Sequence, residues 1–476
     1  MSNEDSFLHL VKCTYPQMIA AITGTLFAIS DGMTYGWSAP YIPYLISDVS
    51  HIKTSKHEAE LLETFFLLGS FCGLPLTIYL VDKIGRKKSL LLASLVVLLA
   101  WIAIALGNNM IYIFVARFFC GMCGNMAFVA APCYIAEIAD SRIRGFLSSI
   151  IYVMMLLGCL IVYCVGPYLP FYVPSIIGGT VCLIELLVFS RVPESAMYLL
   201  SKNRPEEALE SIKYFKSYCE TTKELDDIKA VLEKQQNEKG NFLDLFKVTS
   251  NRKGIVIMTV LNAGQHLCAY SVILMNLHSI LEAAGSIYMD HNHAAILFAA
   301  LMLLAVIFAS LQIDNYGRKA LLIFSSILTG ICLLSIAIYF NLKEYDYDVL
   351  SASWIPIVSI MVYALVFKVG VGIVPIVVTA EIFPTNLKAI GMTLSDAMFI
   401  VGGLIAINLY QSIANNFGIF IPFYIFGAFA IFITFFTIFF VPETKGKSLD
   451  EIQSILKGEK PNSKTYTLEN TASVNF

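Results

Sequence analysis

Long apolar stretches recur along the whole chain and constrain its fold more than any other feature. Twelve of them have the roughly 17–25 predominantly apolar residues that a helix needs to cross a bilayer. Only 14% of the residues are charged, against about 25% in a typical soluble domain. Because a water-soluble fold would leave large apolar patches exposed, lipid is the solvent that this chain fits. We therefore predict an all-α membrane protein.

The twelve predicted spans are numbered from the N terminus. They lie at about 18–40, 59–81, 89–107, 110–136, 146–168, 171–190, 255–284, 292–313, 320–340, 352–380, 390–414 and 419–441. The polar, Lys- and Glu-rich stretch between spans 6 and 7 has helical patterns and belongs outside the membrane. The predicted organisation is an N-terminal tail (1–17), a six-helix bundle (18–190), a helical linker (191–254), a second six-helix bundle (255–441) and a C-terminal tail (442–476).

The distribution of Lys and Arg predicts the orientation. An even number of spans puts both termini on one side of the membrane, and that side holds 27 of the 32 basic residues. The other side holds Lys53, Lys56 and Lys343. The positive-inside rule then places both termini in the cytoplasm. Trp37, Trp101 and Trp354 fall toward the outer ends of their spans, where an interfacial belt of aromatic residues is expected.

The two halves of the chain repeat each other. The D-K-I-G-R-K-K stretch at 82–88 matches D-N-Y-G-R-K at 314–319, Glu137-Ile138 matches Glu381-Ile382, and P-E-S at 193–195 matches P-E-T at 442–444. The matches occur in the same order and at the same ends of corresponding spans. They predict two bundles in parallel repeat, with a substrate site between them near the middle of the bilayer.

These motifs also carry a family resemblance over nearly the whole chain. Further members of the set are Arg117 with Gly121 and Gly124, P-C-Y-I-A-E-I-A at 132–139, P-E-S-A-M-Y-L-L at 193–200, A-E-I-F-P-T at 380–385 and P-E-T-K-G-K-S-L-D-E-I at 442–452. The ordered set resembles the sugar-porter branch of the major facilitator superfamily. The W-S-A-P-Y-I-P-Y-L stretch at 37–45 is most similar to the insect group of facilitated trehalose transporters.

The resemblance implies a transmembrane carrier for a sugar, of the trehalose or hexose class. It implies facilitative transport by alternating access between the two bundles, in the plasma membrane, without a cofactor or a metal. It also implies that Asp82, Arg86, Glu137 and Arg144 form one cytoplasmic charge network, and that Asp314, Arg318, Glu381 and Lys388 form its repeat. Such networks would hold the cytoplasmic side closed and break when the carrier opens inward. The alternative is that the basic residues only set the topology.

The sugar-binding residues follow the family pattern less closely than the scaffold does. Sugar recognition needs hydrogen-bonding groups and aromatic faces. The helix-seven motif of the family is kept at Gln265, but His266, Ala269, Ser271 and Asn276 replace its other members. Tyr152 stands at the helix-five Gln position, Ile376 at the helix-ten Trp position and Phe399-Ile400 at the helix-eleven Asn-Trp position, while Phe367 keeps its aromatic place. On a continuous helix, Gln265 and Ser271 would lie about 120° apart, so only part of the set would face the cavity.

Three of the charged residues inside predicted spans need an explanation, because charges are costly there. In proton-coupled members of the family an Asp and an Arg lie at positions similar to Asp31 and Arg117, which implies a hypothesis of proton coupling. The alternatives are a structural pair, or an Asp at the outer water boundary. Lys368 replaces a residue that is Glu in some glucose carriers. It would either pair with Asp396 in span 11, which we favour, or contact an anionic substrate.

Other classes of function remain as alternatives or are disfavoured. The substituted sugar site permits another organic solute, and the same scaffold could serve as a transport-inactive nutrient sensor. An enzyme is disfavoured because no cytoplasmic segment has a nucleophile array, a metal cluster or a phosphate-binding Gly loop. The partners that we expect are therefore a small solute and the lipid bilayer, and not a nucleic acid.

Overall fold

The structure is a computed structural model, and it describes residues 3–140, 143–216, 221–237, 244–312, 317–384, 387–447 and 449–458. Within these residues the regular secondary structure is helical, and no strand occurs. Eleven helices or broken helices are long and apolar enough to cross a membrane. These correspond to the predicted spans 2–12. The prediction of an all-α membrane protein is confirmed.

The first bundle contains spans 1–6. Its helices are Asn3–Gly24, Leu26–Gly36 and Ser38–Ile46 in span 1, Lys56–Ile84, Arg86–Leu106, Met110–Ile138, Arg144–Val165 and Val173–Val188. The second bundle contains Thr249–Leu267 and Tyr270–Ala284 in span 7, His291–Gln312, Arg318–Glu344, Trp354–Val369 and Val374–Ile382 in span 10, Lys388–Phe417 and Phe420–Phe440. The segment between the bundles forms Ala196–Ser201, Pro205–Phe215, Thr221–Asn237 and Asp244–Lys247, and the last helix is Leu449–Lys457. Two short 3-10 helices are Phe189–Arg191 and Leu350–Ala352.

The remaining predicted span, span 1, consists of three consecutive helices rather than one. At the first break, the Thr25 hydroxyl donates to the Ala21 carbonyl at 2.8 Å. Such side-chain bonds compete with the helical ladder and often bend a helix. The last break falls at Trp37, which is completely buried and stacks on Tyr41 with ring centroids 4.7 Å apart. Span 1 therefore has short rigid pieces that can follow the surfaces of its neighbours.

Close contact between helices explains much of the packing inside the bundles. Span 2 lies directly against span 4, where a Cβ on Gly69 would collide with the Phe118 carbonyl and a Cβ on Gly121 with the Phe66 carbonyl. Small residues let helix backbones approach in this way, which matters in lipid because the hydrophobic effect does not drive helices together there.

The two faces of the molecule differ in which segments they carry. The linker helix Pro205–Phe215 lies beside the N-terminal helix, where Gln17 donates to the Phe215 carbonyl at 3.1 Å. The C-terminal helix lies beside span 7, where Lys253 donates to the Leu456 carbonyl at 2.7 Å. We call this side the terminal face. The other side, which carries the loop at 47–55 before span 2, is called the opposite face.

The predicted belt of tryptophans is wrong for two of its three members. Trp37 and Trp101 have exposed fractions of 0% and 1%, and only Trp354, at 49%, lies at the surface. The Trp101 indole donates to the Ser30 hydroxyl at 2.8 Å, so its polar group bonds inside the bundle. A buried indole with a partner does not need the interface.

Candidate functional site

The predicted sugar-binding residues of span 7 flank a break in the helix. The first helix ends at Leu267, and Ala269 has a φ of +70°, in the left-handed region that non-glycine residues rarely adopt. The second helix begins at Tyr270. Gln265 and Ser271 are both buried, on either side of the break. The estimate that Gln265 and Ser271 lie about 120° apart assumed one continuous helix. It is therefore wrong, because the break changes the relative directions of the two side chains.

An aromatic and cationic cluster surrounds this break. The Tyr270 ring stacks on Phe367 at 5.3 Å and lies 6.2 Å from Tyr35 of span 1. The His266 ring is completely buried, 4.1 Å from the Phe399 ring and 5.7 Å from that of Tyr270. Neither nitrogen of His266, nor the Ser271 hydroxyl, has a hydrogen-bond partner among the described residues. Buried polar atoms without partners favour a ligand-binding role.

Lys368 belongs to the same cluster. Its ammonium group donates to the Tyr270 hydroxyl at 3.2 Å and lies 4.4 Å from the centre of that ring. The favoured pair with Asp396 does not form, because no carboxylate lies within 4 Å of Lys368 in the described part of the chain. The Asp396 side chain is exposed and interacts electrostatically with Tyr152 of the first bundle. A buried ammonium beside an aromatic face can contact a ligand more readily than one held in an ion pair.

One of the predicted sugar-binding residues lies away from this cluster. Asn276 is at a kink in the second helix of span 7 and donates to both carboxylate oxygens of Glu63, at 3.0 and 3.1 Å. Tyr152 packs beside Phe128, with ring centroids 5.8 Å apart, and interacts electrostatically with Tyr270. The structure thus places His266, Phe367 and Lys368 around Tyr270, with Gln265 and Ser271 buried on either side of the break, and it places Asn276 in the contact between the bundles. Tyr270, which the sequence analysis missed, is the centre of the cluster.

Asp31 and Arg117 are both buried inside the first bundle. Arg117 donates to the Thr34 carbonyl and to the Ser38 hydroxyl, the latter at 3.0 Å, and its guanidinium lies 4.5 Å from the Phe66 ring. The two charges interact electrostatically without a direct ion pair within 4 Å. Asp31 packs against Gly124, where a Cβ would collide with its carboxylate. With an exposed fraction of 4%, Asp31 does not lie at a water boundary.

A second buried acid lies near Asp31, and the sequence analysis missed it. Glu185 of span 6 has an exposed fraction of 0% and accepts a hydrogen bond from Ser94 at 2.9 Å. Its neighbour Cys182 donates to Ser30, one residue before Asp31, at 3.2 Å. A single Glu in an otherwise apolar span was the available signal, because such residues usually face protein or a functional cavity.

The first charge network forms at the terminal face, though not with all four predicted members. Arg86 and Glu137 pair at 2.9 Å, and both are largely buried. Asp82 is exposed and lies 3.9 Å from Arg86. Arg144 donates to the Ala139 carbonyl at 3.2 Å, and none of the described acids forms an ion pair with it. The Ser195 hydroxyl of the linker donates to Glu137, so the network ties the linker to the first bundle.

The repeat of this network has the same central pair. Arg318 and Glu381 pair at 3.0 Å. Lys388 forms no ion pair with any described residue, and Asp314 lies outside the described residues. Both central pairs join spans of the same bundle rather than the two bundles. That these networks hold the cytoplasmic side closed stays a prediction, and the two central pairs of the described residues each lie within one bundle.

The acids of the P-E-S and P-E-T motifs cap helices, which the repeat alone did not predict. Glu194 accepts from the Lys87 backbone N–H at 3.1 Å, and Glu443 accepts from the N–H groups of Arg318 and Lys319 at 3.0 and 3.1 Å. Burial raises the pKa of Glu194, and the N–H donors offset this only in part. Glu443 is also subject to burial, but its backbone donors outweigh it and hold its pKa below the ordinary value. Carboxylates are favourable at a helix N-terminus.

The seam between the bundles on the opposite face has a polar cluster that the sequence analysis did not identify. Gln411 of span 11 donates at 2.9 Å both to the Glu60 carbonyl and to the Glu63 carboxylate of span 2, and Asn415 donates to the Glu60 carboxylate at 2.8 Å. Tyr163 of span 5 donates to the Leu274 carbonyl of span 7. The acids of span 2 were visible in the sequence, but their partners lie more than two hundred residues away.

Comparisons with known proteins agree with this architecture. The sequence profile of the family described as sugar (and other) transporter matches residues 17–456. The facilitated trehalose transporter Tret1 of Bombyx mori is 28% identical over 92% of this chain and 86% of its own length. Tret1 of Polypedilum vanderplanki is 27% identical over 93% of this chain and 88% of its own length.

Solved structures show the same fold. The inward-open xylose transporter XylE from E. coli has a TM-score of 0.75 and 21% identity, covering 92% of this chain and 98% of its own. The proton:xylose symporter XylE bound to 6-bromo-6-deoxy-D-glucose has a TM-score of 0.70 and 21% identity, covering 93% and 98%. The prediction of the major facilitator fold, with twelve transmembrane helices in two bundles, is thus confirmed. The helices, the repeat and the profile match over most of the chain lead to one conclusion: this multi-pass membrane protein belongs to the sugar (and other) transporter family.

Proposed function

We propose that this protein carries a sugar of the trehalose or hexose class by alternating access, with the terminal face in the cytoplasm and the opposite face outside the cell. The proposed transport is facilitative and takes place in the plasma membrane. The distribution of basic residues supports this orientation. The relatives named for facilitated trehalose transport support the substrate class.

The observation that carries the proposal is the span 7 cluster between the two bundles. Tyr270 faces Tyr35 of the first bundle, and both rings are buried. Beside them, His266 offers two ring nitrogens and Ser271 a hydroxyl that have no partner among the described residues. A sugar needs donors and acceptors for its hydroxyls and an aromatic face for its C–H surface. This cluster has both.

A second candidate function is the transport of a sugar derivative or organic solute that carries negative charge. Lys368 favours it, because the ammonium group is buried at the centre of the cluster with a tyrosine rather than a carboxylate as its partner. A buried unpaired charge is costly, and an anionic substrate would offset that cost.

Uptake into proteoliposomes tests both candidates with one preparation. We expect radiolabelled trehalose or glucose to equilibrate across the membrane in the absence of a pH gradient. Uptake of a sugar acid but not of the neutral sugar, lost in Lys368→Gln, would replace the first candidate with the second. Lys343→Gln is the matched control, since Lys343 lies at the opposite face and donates to the Ala283 carbonyl. No uptake of any solute, with a folded protein, would favour the nutrient sensor instead.

The same preparation tests proton coupling through Asp31 and Arg117. For a facilitative carrier, an imposed pH gradient leaves the final sugar concentration equal on both sides. Accumulation above that level, abolished in Asp31→Asn, would show that a proton moves with the sugar. In that case protonation of Asp31 would weaken its electrostatic attraction to Arg117 and release span 1 for the conformational change.

A further inference from the structure

We propose that Glu63 is a positioning residue for transport, and that with Asn276 and Gln411 it forms a latch that holds the opposite face closed. The proposal rests on the alternating access proposed above. It assigns a role to a buried acid whose hydrogen bonds go to Asn276 and Gln411 and not to the span 7 cluster. Glu63 has an exposed fraction of 0%, although it lies in the second turn of span 2.

The latch consists of one carboxylate and two amides from the other bundle. Asn276 donates to Oε1 and Oε2 of Glu63 at 3.0 and 3.1 Å, and Gln411 donates to Oε2 at 2.9 Å. Glu63 belongs to the first bundle, whereas Asn276 and Gln411 belong to spans 7 and 11 of the second. Because Glu63 is buried, a lost donor in this seam leaves an unsatisfied acceptor, which is costly. Opening at this face has to break all of these bonds.

Both sides of the latch have features suited to a conformational change. In the first bundle, span 2 is held against span 4 by the close contact at Gly69. In the second bundle, Asn276 itself interrupts its helix, with φ −116° and ψ 16°. The helix Tyr270–Ala284 can therefore bend at the residue that holds the carboxylate. The break at Ala269 isolates this segment from the first half of span 7.

The side-chain amides of Asn276 and Gln411 are the direct hydrogen-bond partners of Glu63, although other polar groups lie near it. Arg117 of span 4 is close enough to interact electrostatically, but it donates to span 1 instead of to Glu63. The phenols of Tyr35, Tyr163 and Tyr410 face it from spans 1, 5 and 11. Glu60, one turn away, is paired with Lys56 at 3.8 Å and bonded to Asn415. In the described part of the chain, no cation lies within 4 Å of the Glu63 carboxylate.

The structure predicts an unusual pattern for a pair of substitutions. Gln411→Ala leaves the Glu63 carboxyl group buried with fewer donors when the face is closed, but hydrated when it is open. Leaving a buried acceptor without its donor is costly, whereas removing both groups is often nearly neutral. Gln411→Ala should therefore favour the open state, and adding Glu63→Ala should reverse most of that shift. Asn408→Ala is the matched control, because Asn408 is an exposed amide of the same span that bonds within its own helix.

The populations can be measured as a distance across the seam. Nitroxide labels attached through a genetically encoded ketone-bearing residue at His57 and Asn416, both exposed at the opposite face, leave the native cysteines unlabelled. Electron–electron double resonance on substrate-free proteoliposomes then gives the ratio of open to closed molecules. We expect Gln411→Ala to raise this ratio on the order of ten-fold, and the double variant to return near the wild-type ratio.

Transport kinetics give an independent measure in the same vesicles. A larger open population lowers the half-saturation concentration for sugar presented at the opposite face and raises it at the terminal face. Loss of folding alone would lower the maximal rate without this split. If Gln411→Ala fails to fold, Asn276→Ala tests the same carboxylate from span 7.

The proposal is overturned if both amide variants give the open-to-closed ratio of Asn408→Ala. It is also overturned if Glu63→Ala fails to reverse their effect, because the amides would then act without the carboxylate. Wild-type transport is measured separately, so a protein that moves no sugar but shows the predicted distances would refute the proposed function and leave the latch in place.

Discussion

The two faces of this protein use their polar side chains differently. At the terminal face, the partly buried ion pairs Arg86–Glu137 and Arg318–Glu381 each join helices of one bundle. At the opposite face, Glu63, Gln411 and Tyr163 form hydrogen bonds from one bundle to the other. The polar contacts of the terminal face thus stabilise each bundle as a unit. Those of the opposite face resist separation of the bundles.

This difference explains how a carrier can move without unfolding. Packed bundles are rigid and change their relative position rather than their internal structure. Charges that are satisfied within a bundle stay satisfied during such a movement. Contacts across the seam are broken and remade, so their strength sets the balance between the two states. Substitutions at the two faces should therefore have different consequences: stability at one, conformational balance at the other.

The largest effect is expected at the terminal face from Arg86→Ala. The substitution leaves the largely buried Glu137 carboxylate without its cationic partner and with only the Ser195 hydroxyl as a donor, which costs about 3 kcal/mol in the free energy of unfolding. Denaturant unfolding in detergent, followed by tryptophan fluorescence, measures this loss. Lys88→Ala, at an exposed residue two positions later, is the control. Equal unfolding curves for the two variants would contradict a structural role for the pair.

Tyr163→Phe is expected to have a smaller effect, which changes the balance between the open and closed states rather than the stability. The Leu274 carbonyl loses a buried hydrogen bond that joins span 5 to span 7, which costs about 1 kcal/mol in the closed state only. The open-to-closed ratio should rise roughly five-fold in the double-resonance measurement described above, while the unfolding free energy changes little. Tyr168→Phe, at an exposed tyrosine of the same region, should leave the ratio unchanged. A shift in unfolding without a shift in the ratio would remove the distinction between the faces.

The smallest effect is a change in pH dependence on Glu443→Gln. Because backbone donors hold the folded pKa of Glu443 below its ordinary value of 4.5, its ionised form stabilises the folded state. That contribution is complete above the ordinary value and is lost as the pH falls through the folded pKa. We expect it to be less than about 1 kcal/mol, since the group is partly exposed.

Melting temperatures of the wild type and Glu443→Gln should therefore converge as the pH is lowered from about 7 to about 3.5. Glu194→Gln provides the comparison. Burial raises the pKa of Glu194, so the stability linked to its protonation is lost as the pH rises from the ordinary value through the folded pKa. The two variants should then differ from the wild type with opposite slopes. Parallel melting curves for Glu443→Gln and the wild type would refute the capping role.

Much of the candidate site followed from local sequence, and the errors have physical causes. His266 and Ser271 were identified from the helix-seven motif, Phe367 from its aromatic place and Lys368 from its costly charge. His266, Phe367 and Lys368 lie around Tyr270. Asn276 was assigned to that cluster because the break at Ala269 and the kink at Asn276 itself could not be foreseen from an apolar, helix-favouring segment. Lys368 and Asp396 were expected to pair as opposite charges inside spans 10 and 11, but the sequence does not give the lateral distance between two side chains.

The sequence by itself determined the number of spans, the repeat and the family. These depend on the length of apolar runs and on short motifs, and both can be recognised from residues that are close together in the sequence. Only the tertiary structure decided the partners of the buried polar groups. Glu63 and Gln411 are 348 residues apart in the chain but 2.9 Å apart in space. Which donor reaches a buried acid depends on how rigid helices pack, and no local pattern contains that information.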